Sequence, residues 1–494
     1  MADQPDHRER RWRNGCRKRS GNDDERNLRP HGSLQQRAEN CTRKRQRRNA
    51  LQLSQPSRRR RHDSEHSQQL SDQADRGATI QNTANSYLIS APGYYRIPLV
   101  YGNAIHTTAA SPTVGVDNQS AYKAGITGEY ILTNFKDHDG VNITSPYINA
   151  NRTVGNRAKK ANIVWADHSG LVENLSVDWD EHGNGSKSFV KFKVSKENIC
   201  NANAVIAVKN DAGTIMWSWH LWFDKADALD LIPCTNYQGI VYKFTKHNLG
   251  FVQIKKGSVY TQPRKARLKV EQAVGNGGSK EISYITITQN NGLEEVYQST
   301  MYQFGHKDAL PGTKSLAEGN FTPDAGDNMS IKNGIQNPDK LYVSGLTWIQ
   351  SPANGGYTYQ NLWSINNTTY AANDNAVIKT IYDPCPVGFH VPAPNAFTGF
   401  SSNGQQSGTP NTVGVWNNGW TFNNKLSSPD QTIFFPACGW RAYLTGGLFF
   451  AGSYYQTSGP WSVNICYQLF LFPAFSVFNN SWKSGGVCVR PVAE

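Results

Sequence analysis

The sequence predicts a multidomain, mostly β protein. Three observations carry that expectation. After residue 80, apolar and polar residues alternate in short runs rich in β-branched and aromatic side chains, the period of a half-buried strand. Gly, Asn and Pro turns separate those runs, and neither a long helical pattern nor a sustained heptad appears. About 410 residues follow position 80, a length that predicts two to three domains.

Taken in order, Ser86–Ser90 reads as a strand, turned by Ala91-Pro92-Gly93 into a second strand over Tyr94–Val100. A polar loop region runs to about 160. Asn162–Trp165, Leu171–Asp178 and Ser188–Val194 read as strands, the last alternating cleanly. Ala204–Val208 and Thr214–Phe223 flank the turn Asn210-Asp211-Ala212-Gly213 and form a hairpin. Together, residues 81–235 are expected to be a β-sandwich-like domain. Residues 236–305 read as a second, Ig-like β unit, with strands at Ala266–Val270 and Ile282–Gln289. Residues 306–334 read as a linker, marked by Pro311-Gly312, Pro323, Gly326 and Asn333-Gly334. The remainder, 335–494, is rich in Trp, Tyr and Phe and forms a third domain, with a short helix near Pro394–Phe400.

The charge is unevenly placed. The chain carries 51 Lys+Arg against 38 Asp+Glu, a net of +13. Residues 1–80 hold 20 of the basic and 11 of the acidic residues, hence +9 of that net. Eighteen of those 20 are Arg, and the segment lacks Val, Phe and Tyr. Such a segment buries too little apolar surface to offset its chain entropy, so 1–80 is expected to be disordered. Clusters such as Arg43–Arg48 and Arg58–Arg61 suit phosphate contacts, which opens a nucleic-acid reading for residues 1–61. The abrupt change in arginine usage is also what out-of-frame translation produces. The rest of the chain holds only +4, so nucleic acid is not the expected partner.

Several classes are excluded. No run of 18 apolar residues exists, so no transmembrane helix is expected. The first 30 residues lack the apolar core of a secretory signal. No HExxH, phosphate-binding loop, GxSxG or dinucleotide fingerprint appears, and no CxxC, so neither a catalytic residue, a metal ligand nor a cofactor is assigned. Asp178-Trp179-Asp180-Glu181-His182-Gly183 opens like a calcium loop. His182 and Phe189 stand where that loop needs oxygen ligands, so the stretch reads as a hairpin turn. Met216–Trp222 reads as a strand packed on both faces, with His220 a packed or rim residue. Cys385, Cys438, Cys466 and Cys488 fall in the last 110 residues. They read equally well as one or two disulfides of an exported protein and as isolated core residues.

Four motifs in the last third carry a resemblance. They are Asp383-Pro384-Cys385-Pro386-Val387-Gly388-Phe389-His390-Val391-Pro392, Phe435–Arg441, Gly446-Gly447 with Gly452–Ser458, and Gly485–Val492. In this order they resemble the Fibrobacter succinogenes major paralogous domain, common in exported proteins of Bacteroidetes. That domain is similar to the C-type-lectin fold shared with formylglycine-generating enzymes. Asn82–Leu88, Ile97–Asn103, Met216–Trp222 and Tyr302–Asp308 resemble fimbrillin-like Bacteroides surface proteins. The resemblance covers about 81 to the end. It departs from the pattern at Tyr455, Gln456 and Cys488, so the disulfide of relatives is not carried over from Cys385.

The resemblance implies an α+β C-type-lectin-like domain over 335–494. It implies an exported, non-enzymatic surface protein of a bacterium, an adhesin or fimbria-associated component that binds a protein or glycan on another surface. Cys466-Tyr467-Gln468-Leu469-Phe470-Leu471-Phe472 resembles the strand of that family written AYxLxF. In that register Tyr467, Leu469 and Leu471 face the core, and Gln468, Phe470 and Phe472 face out. Trp461, Gln468, Phe470, Phe472, Phe475 and Phe478 are the expected ligand anchors. Irregular bulky residues over 461–479 also resemble the variable region of proteins diversified by retroelements. Kinship to formylglycine-generating enzymes leaves an oxidoreductase alternative, for which Cys466 and Cys488 are the local candidates.

Overall fold

The computed structural model describes residues 68–69 and 79–494, apart from 257–263, 273–277, 279, 290–293, 346–347, 349–356 and 474–475. The expectations for the Arg-rich segment therefore lie almost wholly outside the described residues, as does Phe475. The described residues fall in one compact unit, mostly β and built from many small sheets.

The predicted strands form near their expected limits. Ser86–Ile89, Lys160–Ala166, Ala202–Lys209 and Ile215–Phe223 share one sheet, and Gly93–Pro98, Phe189–Val194 and Glu173–Asp178 share another. Ala202–Lys209 and Ile215–Phe223 pair antiparallel across their turn, and Asp178 meets Phe189 across the loop that opens like a calcium site. Met216–Phe223 is buried on both faces, with Trp217, Trp219 and Trp222 in the core. Burial of each such ring contributes on the order of 2 kcal/mol. Missed by the sequence reading is the hairpin Ile105–Thr108 and Ser111–Asp117, inside the expected polar loop region.

His220 explains why a histidine survives in that core. Its Nε2 donates to Asn203 Oδ1 at 3.0 Å, and its Nδ1 accepts from the Tyr302 hydroxyl at 2.9 Å. Burial pushes its pKa down to about 3, so the ring is neutral. Asn203 passes the network on to Asp167, whose carboxyl burial raises to about 6.

The expected domain boundaries do not separate independent cores. Val241–Thr245 pairs through Phe244 with Val492, and Val492 pairs on its other side with His390. The closing strand, Val492–Ala493, thus lies inside a sheet begun at Leu231. A phenylalanine cluster crosses the same boundary: Phe244 stacks on Phe397 at 5.6 Å and meets Phe435 edge-on at 5.9 Å. The main hydrophobic core draws buried residues from Tyr87 to Val492, with a small second cluster of Met301, Leu310, Leu341, Val343 and Leu448.

The Ig-like unit expected at 236–305 is not seen among the described residues. In its place are two separate two-stranded ribbons, Val252–Lys256 with Glu294–Gln298 and Arg264–Glu271 with Ile282–Gln289. The second ribbon is exposed on both faces, with no second sheet to cover Leu268, Val270, Ile285 or Ile287.

The expected linker 306–334 begins as buried chain over 306–312 and carries short elements beyond it, with exposed residues between them. Lys307 is fully buried, its ammonium 2.7 Å from Asp308, 2.5 Å from Ser218 Oγ, and over the Trp217 ring. Ser330 caps a short helix, Ile331–Gln336, by accepting from the Asn333 amide at 3.0 Å. Glu318–Gly319 adds an edge strand beside Trp165 and Ala166. Polar composition misleads here because the polar groups satisfy one another out of water. Pro394–Phe400 is a buried 3₁₀ helix, as the short-helix expectation places it. No helix among the described residues is long and apolar enough to cross a membrane.

Candidate ligand-binding face

Three antiparallel strands, Ser453–Pro460, Ile465–Leu471 and Ser476–Trp482, form the sheet on which the candidate site stands. Alternation sets its two faces. Tyr455, Leu469 and Leu471 point inward and are buried, and Tyr455 packs edge-on against Phe435 at 4.9 Å. Tyr454, Phe470 and Phe472 point the other way and are half-buried.

Those outward rings join a ladder. Tyr454 lies opposite Phe470 in register, and the two rings meet edge to face at 4.4 Å. Tyr454 also meets Phe472 at 5.5 Å and Trp440 at 5.0 Å. Trp440 stacks on Phe449 at 5.4 Å, and Phe449 is 48% exposed. Phe450 and Leu444 beside it are also exposed. Backbone geometry fixes this corner. Gly439 has φ +87°, and a Cβ there would sit 2.3 Å from the Phe449 carbonyl. Only glycine lets the chain approach closely enough to seat Trp440 against Phe449.

The expected anchors divide. Phe470 and Phe472 take their places in the ladder. Trp461 is 42% exposed but sits in the hairpin between Pro460 and Ile465, at the other end of the sheet. Six strand residues separate that end from Leu471, about 20 Å. Phe478 takes the register position opposite Leu469, and its side chain lies outside the described residues.

Gln468 needs correction. It shares the outward parity of Phe470 but is fully buried. Its amide donates to Gln456 Oε1 at 2.7 Å, within a polar cluster that includes the Cys466 thiol. Chain from another part of the sequence covers this end of the sheet: Asn367 Nδ2 reaches Ser458 Oγ at 3.4 Å, and Lys483 donates to Gln360 Oε1 at 2.8 Å. Trp440, Phe449 and Tyr454 were not anticipated. Tyr454 was legible in principle, since it precedes the inward Tyr455 and must face out.

The motif residues themselves are structural pins. Arg490 is buried and donates to the carbonyls of Thr245 and Lys246 and to Asn248 Oδ1, at 2.6–2.8 Å. Burial lowers its pKa to about 10, so it stays cationic near neutrality. Arg441 donates to the carbonyls of Pro311 and Gly446. Asp383 accepts from the amides of Cys385 and Val391, and Lys379 caps the carbonyls of Cys385, Pro386 and Phe389.

Other features carry less. Asp137, His138 and Asp139 approach a metal-like spacing, but Arg152 pairs with both carboxylates at 2.5 and 3.5 Å. A cleft of about 550 Å³, lined by Asn103, His106, Lys243, Asp374, His390 and Glu494 among others, opens beside the C-terminal strand. Burial pushes the Cys466 thiol up to about 11, which disfavours its thiolate.

Comparison with protein-family models, with curated proteins and with solved structures finds no match to this chain.

Proposed function

We propose that this chain is an exported bacterial surface protein, an adhesin or fimbria-associated component, that binds a protein or glycan ligand without catalysis. Its C-terminal part, resembling the C-type-lectin-like major paralogous domain, holds the ligand face. The observation that carries the reading is the half-exposed ladder Phe449–Trp440–Tyr454–Phe470, with Phe472 beside it. Rigid aromatic rings partly open to water, seated on a sheet whose other face is core, are what binding hot spots need. Monomeric proteins seldom leave such rings together at the surface without a partner.

The test is binding of the full labelled chain to an array of host and bacterial glycans and to an array of surface proteins. At least one class is expected to bind, with loss of signal in a Trp440→Ala/Phe449→Ala variant. Binding that survives in that variant overturns the placement of the face. No binding to either array overturns the adhesin reading.

A further inference from the structure

We infer that Cys438 and Cys488 are the partners of a disulfide that closes the base of the aromatic face. The backbone brings them together. Gly439 donates its amide to the Gly452 carbonyl at 2.9 Å, and Cys488 donates its own to the Tyr454 carbonyl at 2.9 Å. Carbonyls two residues apart on a strand point to the same side. Gly439, the residue after Cys438, and Cys488 therefore lie along one edge of Ser453–Pro460, opposite Ser453 and Tyr455.

Side chains agree with the backbone. The Gly439 carbonyl, one residue beyond Cys438, is 4.0 Å from Cys488 Sγ. Ser453 Oγ donates to that carbonyl at 3.2 Å and lies 3.4 Å from Cys488 Sγ. Asn248 Nδ2 lies 3.6 Å from Cys438 Sγ, and the neighbouring Leu249 amide donates to the carbonyl of Val489, next to Cys488; both cysteines are fully buried. Cys466, by contrast, contacts Gln456, Gln468 and the Ser481 carbonyl. Burial keeps external disulfides from the folded pair, so the bond forms during folding, before the edge closes.

The step is an exchange with a small-molecule or protein disulfide. Two cysteine thiols and one external disulfide give the Cys438–Cys488 bond and two external thiols, so sulfurs, protons and electrons balance. The bond ties the turn after Thr432–Pro436 to the closing segment at Arg490. Everything between, including Trp440, Tyr454 and the three-stranded sheet, becomes one covalent loop. The inference concerns how the face is held and does not depend on which ligand it binds.

The test uses the full chain exported to an oxidising periplasm, unfolded in alkylating reagent without reductant, digested and mapped by mass spectrometry. A linked peptide pair containing Cys438 and Cys488 is expected, lighter by two hydrogens than the sum of its parts. Alkylation of both thiols, or linkage of either to another cysteine, overturns the inference. Thermal melting gives a second reading. Cys438→Ser, Cys488→Ser and the double variant are expected to lose the same amount, about 5 °C or more, and reductant present during folding lowers the wild type to match. Additive losses in the double variant overturn it.

Discussion

Tyr454 and Phe470 face each other across neighbouring strands, in direct register, with their rings edge to face at 4.4 Å. Both are half-buried, and the residues that follow or precede them, Tyr455 and Leu469, are core. One sheet therefore does two jobs by alternation: its inner face anchors the fold, and its outer face displays aromatic surface.

Arg490 belongs to the anchoring side. Arg490→Ala leaves the carbonyls of Thr245 and Lys246 and the Asn248 side chain without their buried donor. The expected loss is about 3 kcal/mol or more in urea unfolding. A loss below about 1 kcal/mol would show that the closing motif does not pin the strand begun at Val241.

Acid stability draws on buried groups of opposite sign, and His220 and Asp167 are one such pair. His220 has a folded pKa of about 3, below its unfolded value, so protonation favours the unfolded chain. Its contribution is present above about pH 6.5 and is lost as pH falls toward 3, by up to about 4 kcal/mol. Asp167, raised to about 6, works the other way: the native state takes up its proton first, so falling pH from 6 toward 4 favours folding. Asp167→Asn is expected to steepen the loss of stability between pH 6.5 and 4, and His220→Asn to flatten it. Denaturant midpoints across that pH range check both slopes.

Proteolysis distinguishes packed chain from exposed ribbon. Lys307 is buried, whereas Arg264, Lys265, Arg267 and Lys269 lie on the exposed ribbon. Limited trypsin digestion should cut within that ribbon well before position 307. Early cleavage at Lys307 would restore the linker reading of 306–334.

Much of the strand pattern was legible because alternation is local. Phe189–Val194 and Ile215–Phe223 declare themselves within a few residues, and so does the outward parity of Phe470 and Phe472. What the sequence hid is long-range. Nothing near Val492 says that it pairs with Phe244, and so the boundaries drawn between 305 and 335 divide a single sheet. Nothing near Gln468 says that chain around residue 367 covers its end of the sheet. The polar run at Lys307-Asp308 reads as solvated because its partner Ser218 lies 90 residues earlier. The aromatic ladder was thus half legible. Its rings on one strand followed from parity, while Trp440 and Phe449 joined through a turn only Gly439 permits.

The most direct measurement is the affinity of the wild-type chain and of Trp440→Ala/Phe449→Ala for the strongest array ligand, by calorimetry, beside their melting curves. Both residues are partly or largely exposed, so the melting temperature should fall by only a few degrees. The ladder account predicts at least a tenfold weaker Kd in a variant that remains folded. An unchanged Kd in the folded variant would contradict it.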